Sequence, residues 1–379
     1  MLILGFAITF CIIYIIQILF FILGWSRLSL RLNSRAAIQK FPTCCIVVSA
    51  RNEELNIRKL LSSLSDLLYP PQYLQVIIVD DFSEDQTANI VRIYPQQNIQ
   101  LLKMADVLGE NQSSFSGKKQ ALDYAIKYSN AEIILCTDAD CVVEPNWVNT
   151  MVQCFEEESC KYVTGPILYD ETPAFIKFFQ ELDLMSLNAV TAACIGNQWP
   201  VMSNGANMAF RRSDYLEVNA TRKDLHISTG DDMFLMHSIH KQFPGSVYYQ
   251  NTSAVTTSAA ADIQTFWNQR VRWLSKRFSF TDFRIPGMLI FNFLYSFFCV
   301  CLLIMGLFDF QYGIYFTVLY LVKTISDAVF LVRSYPRKLH KILLFIPVVE
   351  VLYLLYVLLV GIASRFGRFS WKGRAIKYK

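Results

Sequence analysis

Residues 2–24 carry no charged side chain and are almost wholly apolar, about as long as the ~20 residues a helix needs to cross a bilayer. Hydrocarbon leaves backbone N–H and C=O groups no partner outside their own segment, so such a run is committed to a helix. No basic region precedes it and no small-residue cleavage site closes it, which reads as an anchor and not a signal peptide. Three further apolar runs, 288–308, 314–332 and 343–363, close the chain. A hydrophobic fraction of 53% and a mean hydropathy of +0.31 are too apolar for an ordinary soluble enzyme. Residues 41–282, however, have globular polarity. The expected organisation is an N-terminal transmembrane helix (1–25), a globular domain (41–282), about three C-terminal membrane segments (286–365) and a basic tail (366–379).

Arg27, Arg31, Arg35 and Lys40 follow the first run directly. The positive-inside rule then puts the globular domain on the cytoplasmic side of a multi-pass protein of the cell membrane. The connection 308–313 has one acid and no base and reads as external, whereas Arg333, Arg337, Lys338 and Lys341 mark the next as internal. Four crossings would put the tail outside, yet Arg365, Arg368, Lys372, Arg374, Lys377 and Lys379 argue for the inside. Either the last run, interrupted by Pro347 and Glu350, is re-entrant or interfacial, or the tail tolerates the outer face. Lys323 and Asp327 stand one helical turn apart inside the third run and are expected to pair.

The net charge of +4 is mild, and the basic residues gather beside apolar runs instead of forming an aromatic-interleaved stripe. That excludes a nucleic-acid surface. Ten cysteines without a C-x-x-C pair suggest neither a disulfide framework nor zinc, and fit a reducing compartment. The sequons at Asn111, Asn219 and Asn251 read as chance matches in a cytoplasmic domain.

Within the globular stretch, the β-branched run 44–48 leads into the polar segment 49–54, after which Leu55, Leu60, Leu61, Leu64 and Leu68 recur at helical spacing. Pro70 and Pro71 end that helix. The apolar run 76–79 then runs straight into Asp80 and Asp81, 99–102 is a weaker strand, 118–128 a helix, and 132–136 a strand ending in Asp138 and Asp140. Apolar strands alternating with helices predict an α/β domain with a mostly parallel sheet covered on both faces. Ligands of such sheets bind beyond the carboxyl ends of the strands, where both acidic pairs fall.

Acidic residues two apart in a loop are usually solvated or cap the next helix, but two carboxylates delivered to a loop by a strand can also hold a hard divalent cation that shares its remaining positions with a diphosphate. Asp231 and Asp232 follow Gly230 at the start of an apolar helix, where they can cap it, and one of them can serve as a general base toward a hydroxyl. In Trp267-Asn268-Gln269-Arg270-Val271-Arg272-Trp273, helical spacing sets Gln269, Arg272 and Trp273 on one face beside a membrane run. Arginine matches phosphate geometry and tryptophan can stack on a sugar ring, although the same pattern also describes an interfacial helix with snorkelling bases.

In this order, Asp80-Asp81, Asp138-Ala139-Asp140, Gly230-Asp231-Asp232 and Gln269-x-x-Arg272-Trp273 resemble the family 2 glycosyltransferases. The resemblance covers residues 42–278, with 49–54, Gly117-Lys118 and 203–207 as supporting matches. The Gln-x-x-Arg-Trp element is similar to that of the membrane-bound branch, which includes cellulose, hyaluronan and poly-N-acetylglucosamine synthases and ceramide glucosyltransferase. The resemblance implies a GT-A fold, a nucleoside-diphosphate sugar donor (a UDP-sugar), Mg2+ or Mn2+, a lipid or glycan acceptor, and inversion by single displacement. Under it, Ala50, Arg51, Glu53, Asp80 and Asp81 hold the nucleotide, and Asp138 lies on the ribose side. Asp140 with Asp138 ligates the metal, Lys118 contacts the donor, and Gln269 and Arg272 take the diphosphate. Trp273 lines the acceptor site, and Asp232 is the base with Asp231 beside it.

Two departures stand out: the acidic pair is Asp-Asp where the family more often has Glu-Asp, and the large synthases carry more spans. Four apolar runs put processive export in doubt, so transfer to a lipid or glycan acceptor in cell-envelope or exopolysaccharide synthesis stands beside a processive polysaccharide synthase as the alternative. The amphipathic segment 172–194 reads as a core helix before an acceptor-side membrane helix. A non-catalytic transport or assembly protein, suggested by Lys323, Asp327 and Glu350, would leave the ordered motifs unexplained.

Overall fold

The computed structural model describes the chain except residues 34–37, 97, 110–116, 171–174, 221–229, 276–281, 336–344, 367–368, 372–373 and 377–379; residues 31–33, 175–177, 231, 366, 369–371 and 374–376 are described by backbone alone. Arg35, Asn111, Arg337, Lys338, Lys341, Arg368, Lys372, Lys377 and Lys379 thus lie outside the described residues. The chain divides into two compact units, one of residues 27–173 and 181–259, the other of 1–26, 174–180 and 260–379. The C-terminal part of the second unit begins at residue 260, within the stretch 41–282 that sequence reading treats as one domain, so the Gln269–Trp273 motif groups with the C-terminal helices.

In chain order the elements are α1 (Leu2–Asn33), β1 (Cys44–Ala50), α2 (Ile57–Ser65), β2 (Leu74–Asp80), α3 (Thr87–Arg92), β3 (Ile99–Lys103), α4 (Met104–Leu108), α5 (Lys118–Tyr128), β4 (Ile133–Asp138), β5 (Cys141–Val143), α6 (Trp147–Val152), β6 (Tyr162–Thr164), β7 (Ile167–Tyr169), α7 (Phe175–Gly196), β8 (Met208–Arg211), α8 (Arg212–Asn219), α9 (Asp231–Gln242), β9 (Val247–Tyr249) and β10 (Val255–Thr257). They are followed by α10 (Ile263–Leu274), α11 (Arg284–Gly306), α12 (Phe310–Ser334), α13 (Ile346–Phe366) and a short ribbon, β11 (Phe369–Trp371) and β12 (Arg374–Ile376).

The first unit is built on a seven-stranded sheet of order β3-β2-β1-β4-β8-β6-β9. β3, β2, β1 and β4 run parallel, as does the β6/β9 pair, while β8 is antiparallel to both its neighbours. The expected parallel sheet is therefore mostly so, with one reversed strand. The alternating residues explain why the strands read as unbroken apolar runs. Ile46, Val48, Ile78 and Leu135 join Leu60, Leu61, Trp147 and Val148 in one core. The intervening Cys45, Val47, Ile77 and Val79 are equally buried, and α5 packs on β1 and β2. Each such side chain contributes about 1.5–3 kcal/mol by leaving water. From residue 181 on, α7 has Leu182, Met185, Ala189, Ala192 and Ala193 buried, as a core helix should.

Among the described residues, four helices, lying largely in the second unit, are long and apolar enough to cross a membrane: Leu2–Leu30, Arg284–Gly306, Phe310–Ser334 and Ile346–Arg365. Pro347 sits in the first turn of α13, where its missing N–H costs nothing, so the last run continues as one unbroken helix to Phe366. A side chain on Gly306 would meet the Gly313 backbone at 2.8 Å, which sets how closely α11 turns into α12. Lys323 pairs with Asp327 at 2.7 Å, as the spacing predicts, and also with Glu350 on α13. Tyr14 on α1 donates to both oxygens of Asp327, at 2.7 and 2.9 Å. The charges inside the apolar runs thus meet one another, the arrangement that lowers their cost in hydrocarbon.

Candidate active site

The parallel register brings the nucleotide-side candidates to one sheet edge. Ala50 stands opposite Asp80 at the ends of β1 and β2, and Ser49 stands opposite Asp138 at the end of β4. The loops beyond are tied to one another. Asp81 N–H donates to Ala50 O at 2.8 Å, the Arg51 guanidinium donates to Asp81 O at 3.0 Å, and Glu53 N–H donates to Thr87 Oγ1 at 2.7 Å. Asn52 and Phe82 adopt left-handed backbone with φ of 51° and 56°, conformations that side-chain-bearing residues seldom hold and that cluster at functional sites. The Asn52 carboxamide accepts from Glu84 N–H, and Ser83 Oγ accepts from Asn52 N–H. The two turns brace each other.

Among the described residues, Asp80 Oδ1 and Thr137 Oγ1 are buried at this edge without a hydrogen-bond partner. Buried polar atoms in native folds are normally paired, so an orphan at a strand end is open to an ordered water or a ligand. Burial pushes the Asp80 carboxyl above its ordinary value, offset in part by hydrogen bonds from Ser83. Lys118, the first residue of α5, forms an ion pair with Asp138. That pair joins two of the expected donor contacts.

Asp138, the last residue of β4, and Asp140 bracket the buried Ala139. Among the described residues, no group of three or more histidine, cysteine or acidic side chains gathers around a common point. Two carboxylates do not make a self-contained cation cage, but they do fit Mg2+ or Mn2+, hard ions held by one or two carboxylates together with substrate phosphates.

The reversed strand β8 connects this edge to the candidate base. Pairing of Cys136 with Met208 carries the preceding loop, 203–207, alongside the end of β4 where Asp138 stands. In that loop Gly205 N–H donates to Asp232 Oδ2 at 3.0 Å. Asp232 is further fixed through its backbone carbonyl, which accepts from Tyr162 Oη at 3.3 Å, while Tyr162 and Ser203 share a 2.7 Å hydrogen bond. Gly230, with φ of 90°, supplies the left-handed turn into α9. Asp231 opens that helix, and its side chain lies outside the described residues.

Three asparagines that sequence reading gave no individual role hold the loop in shape. Asn207, fully buried, accepts from Trp147 Nε1 at 2.9 Å and donates to Pro166 O at 2.8 Å. Asn204 donates to Gly165 O at 2.8 Å. Asn188 of α7 accepts from Asn204 at 3.2 Å and donates to Ile167 O at 2.7 Å. Asn204 and Asn207 lie in a stretch that matched only as a group, and Asn188 has no local signal, because its partners are 16 and 21 residues away.

In the other unit, α10 carries Gln269 and Arg272 half-buried and Trp273 exposed. Arg270 and Val271 are the buried members of the motif, and the Arg270 guanidinium lies 4.6 Å from the Phe266 ring centre and 4.3 Å from that of Trp273. The helix is capped by Asp262, whose carboxylate accepts from Thr265 N–H at 2.7 Å. Its approach is held by Gln180, whose amide donates to Ala260 O at 3.0 Å and accepts from Ala260 N–H at 2.9 Å.

Comparison with known proteins bears on the family and the fold. The family described as "Glycosyl transferase family 2" matches residues 45–217, and that described as "Glycosyl transferase family group 2" matches residues 133–361. A beta-monoglucosyldiacylglycerol synthase of Trichormus variabilis is 33% identical over 117 residues, 31% of this chain and 24% of that protein. A poly-beta-1,6-N-acetyl-D-glucosamine synthase of Staphylococcus epidermidis is 25% identical over 233 residues, 60% of this chain and 52% of that protein. The chain thus spans about half or less of the length of these relatives. A mannosyltransferase from Pyrobaculum calidifontis, solved in complex with GDP-Man and Mn2+, superposes with a TM-score of 0.54 at 14% identity, covering 94% of this chain and 98% of that one. The fold is GT-A-like, and the chain belongs to the family 2 glycosyltransferases.

Proposed function

We propose that this protein is a membrane-anchored, inverting glycosyltransferase that moves a sugar from a nucleoside-diphosphate sugar, a UDP-sugar, to a hydroxyl of a lipid or glycan acceptor in cell-envelope or exopolysaccharide synthesis. The observation that carries the reading is the loop 203–207, which runs beside the end of β4 and hydrogen-bonds Asp232. A metal-and-donor edge and a base are thereby joined through one short segment. The names of the glycolipid and poly-N-acetylglucosamine synthases, and the GDP-Man and Mn2+ bound to the mannosyltransferase, support the same chemistry.

In this reading Ala50, Arg51, Glu53, Asp80 and Asp81 take the nucleotide, Asp80 through its orphan oxygen, and Lys118 and Asp138 contact the donor. Asp138 and Asp140 would hold Mg2+ or Mn2+, which when bound neutralises charge on the diphosphate. Gln269 and Arg272 serve the diphosphate, and Trp273 serves the acceptor. Asp232 takes the proton of the acceptor hydroxyl as its oxygen bonds to the anomeric carbon. The bond from that carbon to the diphosphate breaks on the opposite face and the electron pair leaves on the diphosphate. The Gly205 N–H holds the Asp232 carboxylate in its aim.

The globular unit faces the cytoplasm of a multi-pass protein in the cell membrane. The bases that follow the first span support that side, as do ten cysteines without a C-x-x-C pair, of which Cys44 and Cys45 have thiols pushed up to about 12 by burial. A screen of UDP- and GDP-sugars against membranes containing the protein, with mass analysis of the glycosylated product, tests donor and acceptor together. Absence of any turnover-dependent glycosylated product across the screen would reject the reading.

A further inference from the structure

Arg270 lies between two motif residues that the proposed function assigns to substrate, and its surroundings give it a specific task. It is 3% exposed, and its guanidinium lies between the rings of Phe266 and Trp273, one helical turn before and after it. Phe266 is itself held by Phe179 and by stacking on Tyr356. One side of this sandwich is therefore a fixed wall, and the guanidinium transmits its position to the Trp273 ring. At the same time Arg270 Nη1 donates to Gln269 Oε1 at 2.7 Å.

A carboxamide has an acceptor end and a donor end. With its oxygen committed to a cation, Gln269 directs its NH2 group toward other partners. We infer that Arg270 is a positioning residue that sets the polarity of the Gln269 amide and the plane of the Trp273 ring, so that α10 presents hydrogen-bond donors to an anionic ligand of the diphosphate class. The inference rests on the proposed donor role of α10. Only arginine performs both tasks, because a planar guanidinium can stack on two rings while donating in its own plane, whereas an ammonium is a compact point charge. The frame of α10 is secured independently by the Asp262 cap and the Gln180–Ala260 pair, so substitution at 270 acts on side-chain orientation.

The test uses the full-length chain in detergent with Mn2+, measuring the Kd of uridine diphosphate and guanosine diphosphate, the donor KM and Vmax, and the melting midpoint. Arg270→Met is expected to raise the nucleotide Kd and donor KM roughly tenfold, the effect of losing one charge-assisted hydrogen bond, with Arg270→Lys between it and wild type. Gln269→Glu keeps an acceptor for Arg270 but replaces the NH2 by oxygen, and is expected to weaken nucleotide binding more than Arg270→Met does. Unchanged Kd and KM in Arg270→Met, or a fall in Vmax alone, would overturn the positioning role, since a purely structural residue changes the amount of folded enzyme and not its affinity. A wild-type chain that binds neither diphosphate overturns the donor reading, and this inference with it; wild-type binding that is unmoved by Gln269→Glu overturns the inference alone.

Discussion

Gly205 N–H and Asp232 Oδ2 are joined at 3.0 Å, and a side chain added to Gly205 would approach that same oxygen at 3.3 Å. Glycine is needed here for close approach. The donor holds the carboxylate in place without a Cβ to displace it.

Asp232→Asn removes the proposed base while preserving shape. Turnover is expected to fall by about 10²–10⁴-fold, with nucleotide affinity unchanged in a uridine diphosphate titration. Retained turnover would disprove the assignment. Gly205→Ala shifts the carboxylate by a few tenths of an ångström and is expected to lower kcat by about tenfold, in line with the sensitivity of catalysis to sub-ångström placement.

Asp80 is held above the ordinary carboxylate range by burial. The folded state therefore binds this proton more tightly than the unfolded chain does, so the group's effect on fold stability worsens as pH rises from the ordinary carboxylate value through the raised one. Nucleotide binding responds in the opposite sense, because a protonated Asp80 no longer offers a charged acceptor. Affinity for uridine diphosphate should decline on acidification at a pH above the ordinary carboxylate range, and Asp80→Asn should flatten that limb of the profile. A wild-type limb at the ordinary carboxylate pH would refute the role.

The Lys118–Asp138 ion pair has side-chain exposures of 29% and 37%. Solvent screening limits such a pair to about 0–1 kcal/mol of fold stability. Lys118→Met should therefore leave the melting midpoint nearly unchanged while raising the donor KM. A large loss of stability would show that the pair is structural.

Lys323 meets Asp327 and Glu350 inside the apolar runs. Removing the cation strands two carboxylates, and a broken buried pair costs about 3–5 kcal/mol. Lys323→Met should sharply lower the thermal stability of the detergent-solubilised protein. The triple variant Lys323→Met, Asp327→Asn, Glu350→Gln should recover most of it, whereas equal stability of Lys323→Met and wild type would show that the cluster contributes nothing.

Length, apolarity and local order carried much of this protein in the sequence itself. The four long apolar helices, the strands at 44–48, 76–79, 99–102 and 132–136, and the helix 118–128 are all present, because each depends on a periodicity that is complete within its own segment. The acidic pairs at strand ends were legible for the same reason, and so was the Lys323–Asp327 pair, one turn apart on a helix. Tertiary structure decided what depends on distant partners. It reversed β8 within the sheet, and that reversal set the loop 203–207 beside Asp138. It brought Glu350 to Lys323 from another helix, left Asp80 with an unmatched buried oxygen, and buried Arg270 where helical spacing had pointed to Gln269, Arg272 and Trp273. Those outcomes follow from which faces pack and which polar groups lose water, quantities that no local pattern contains.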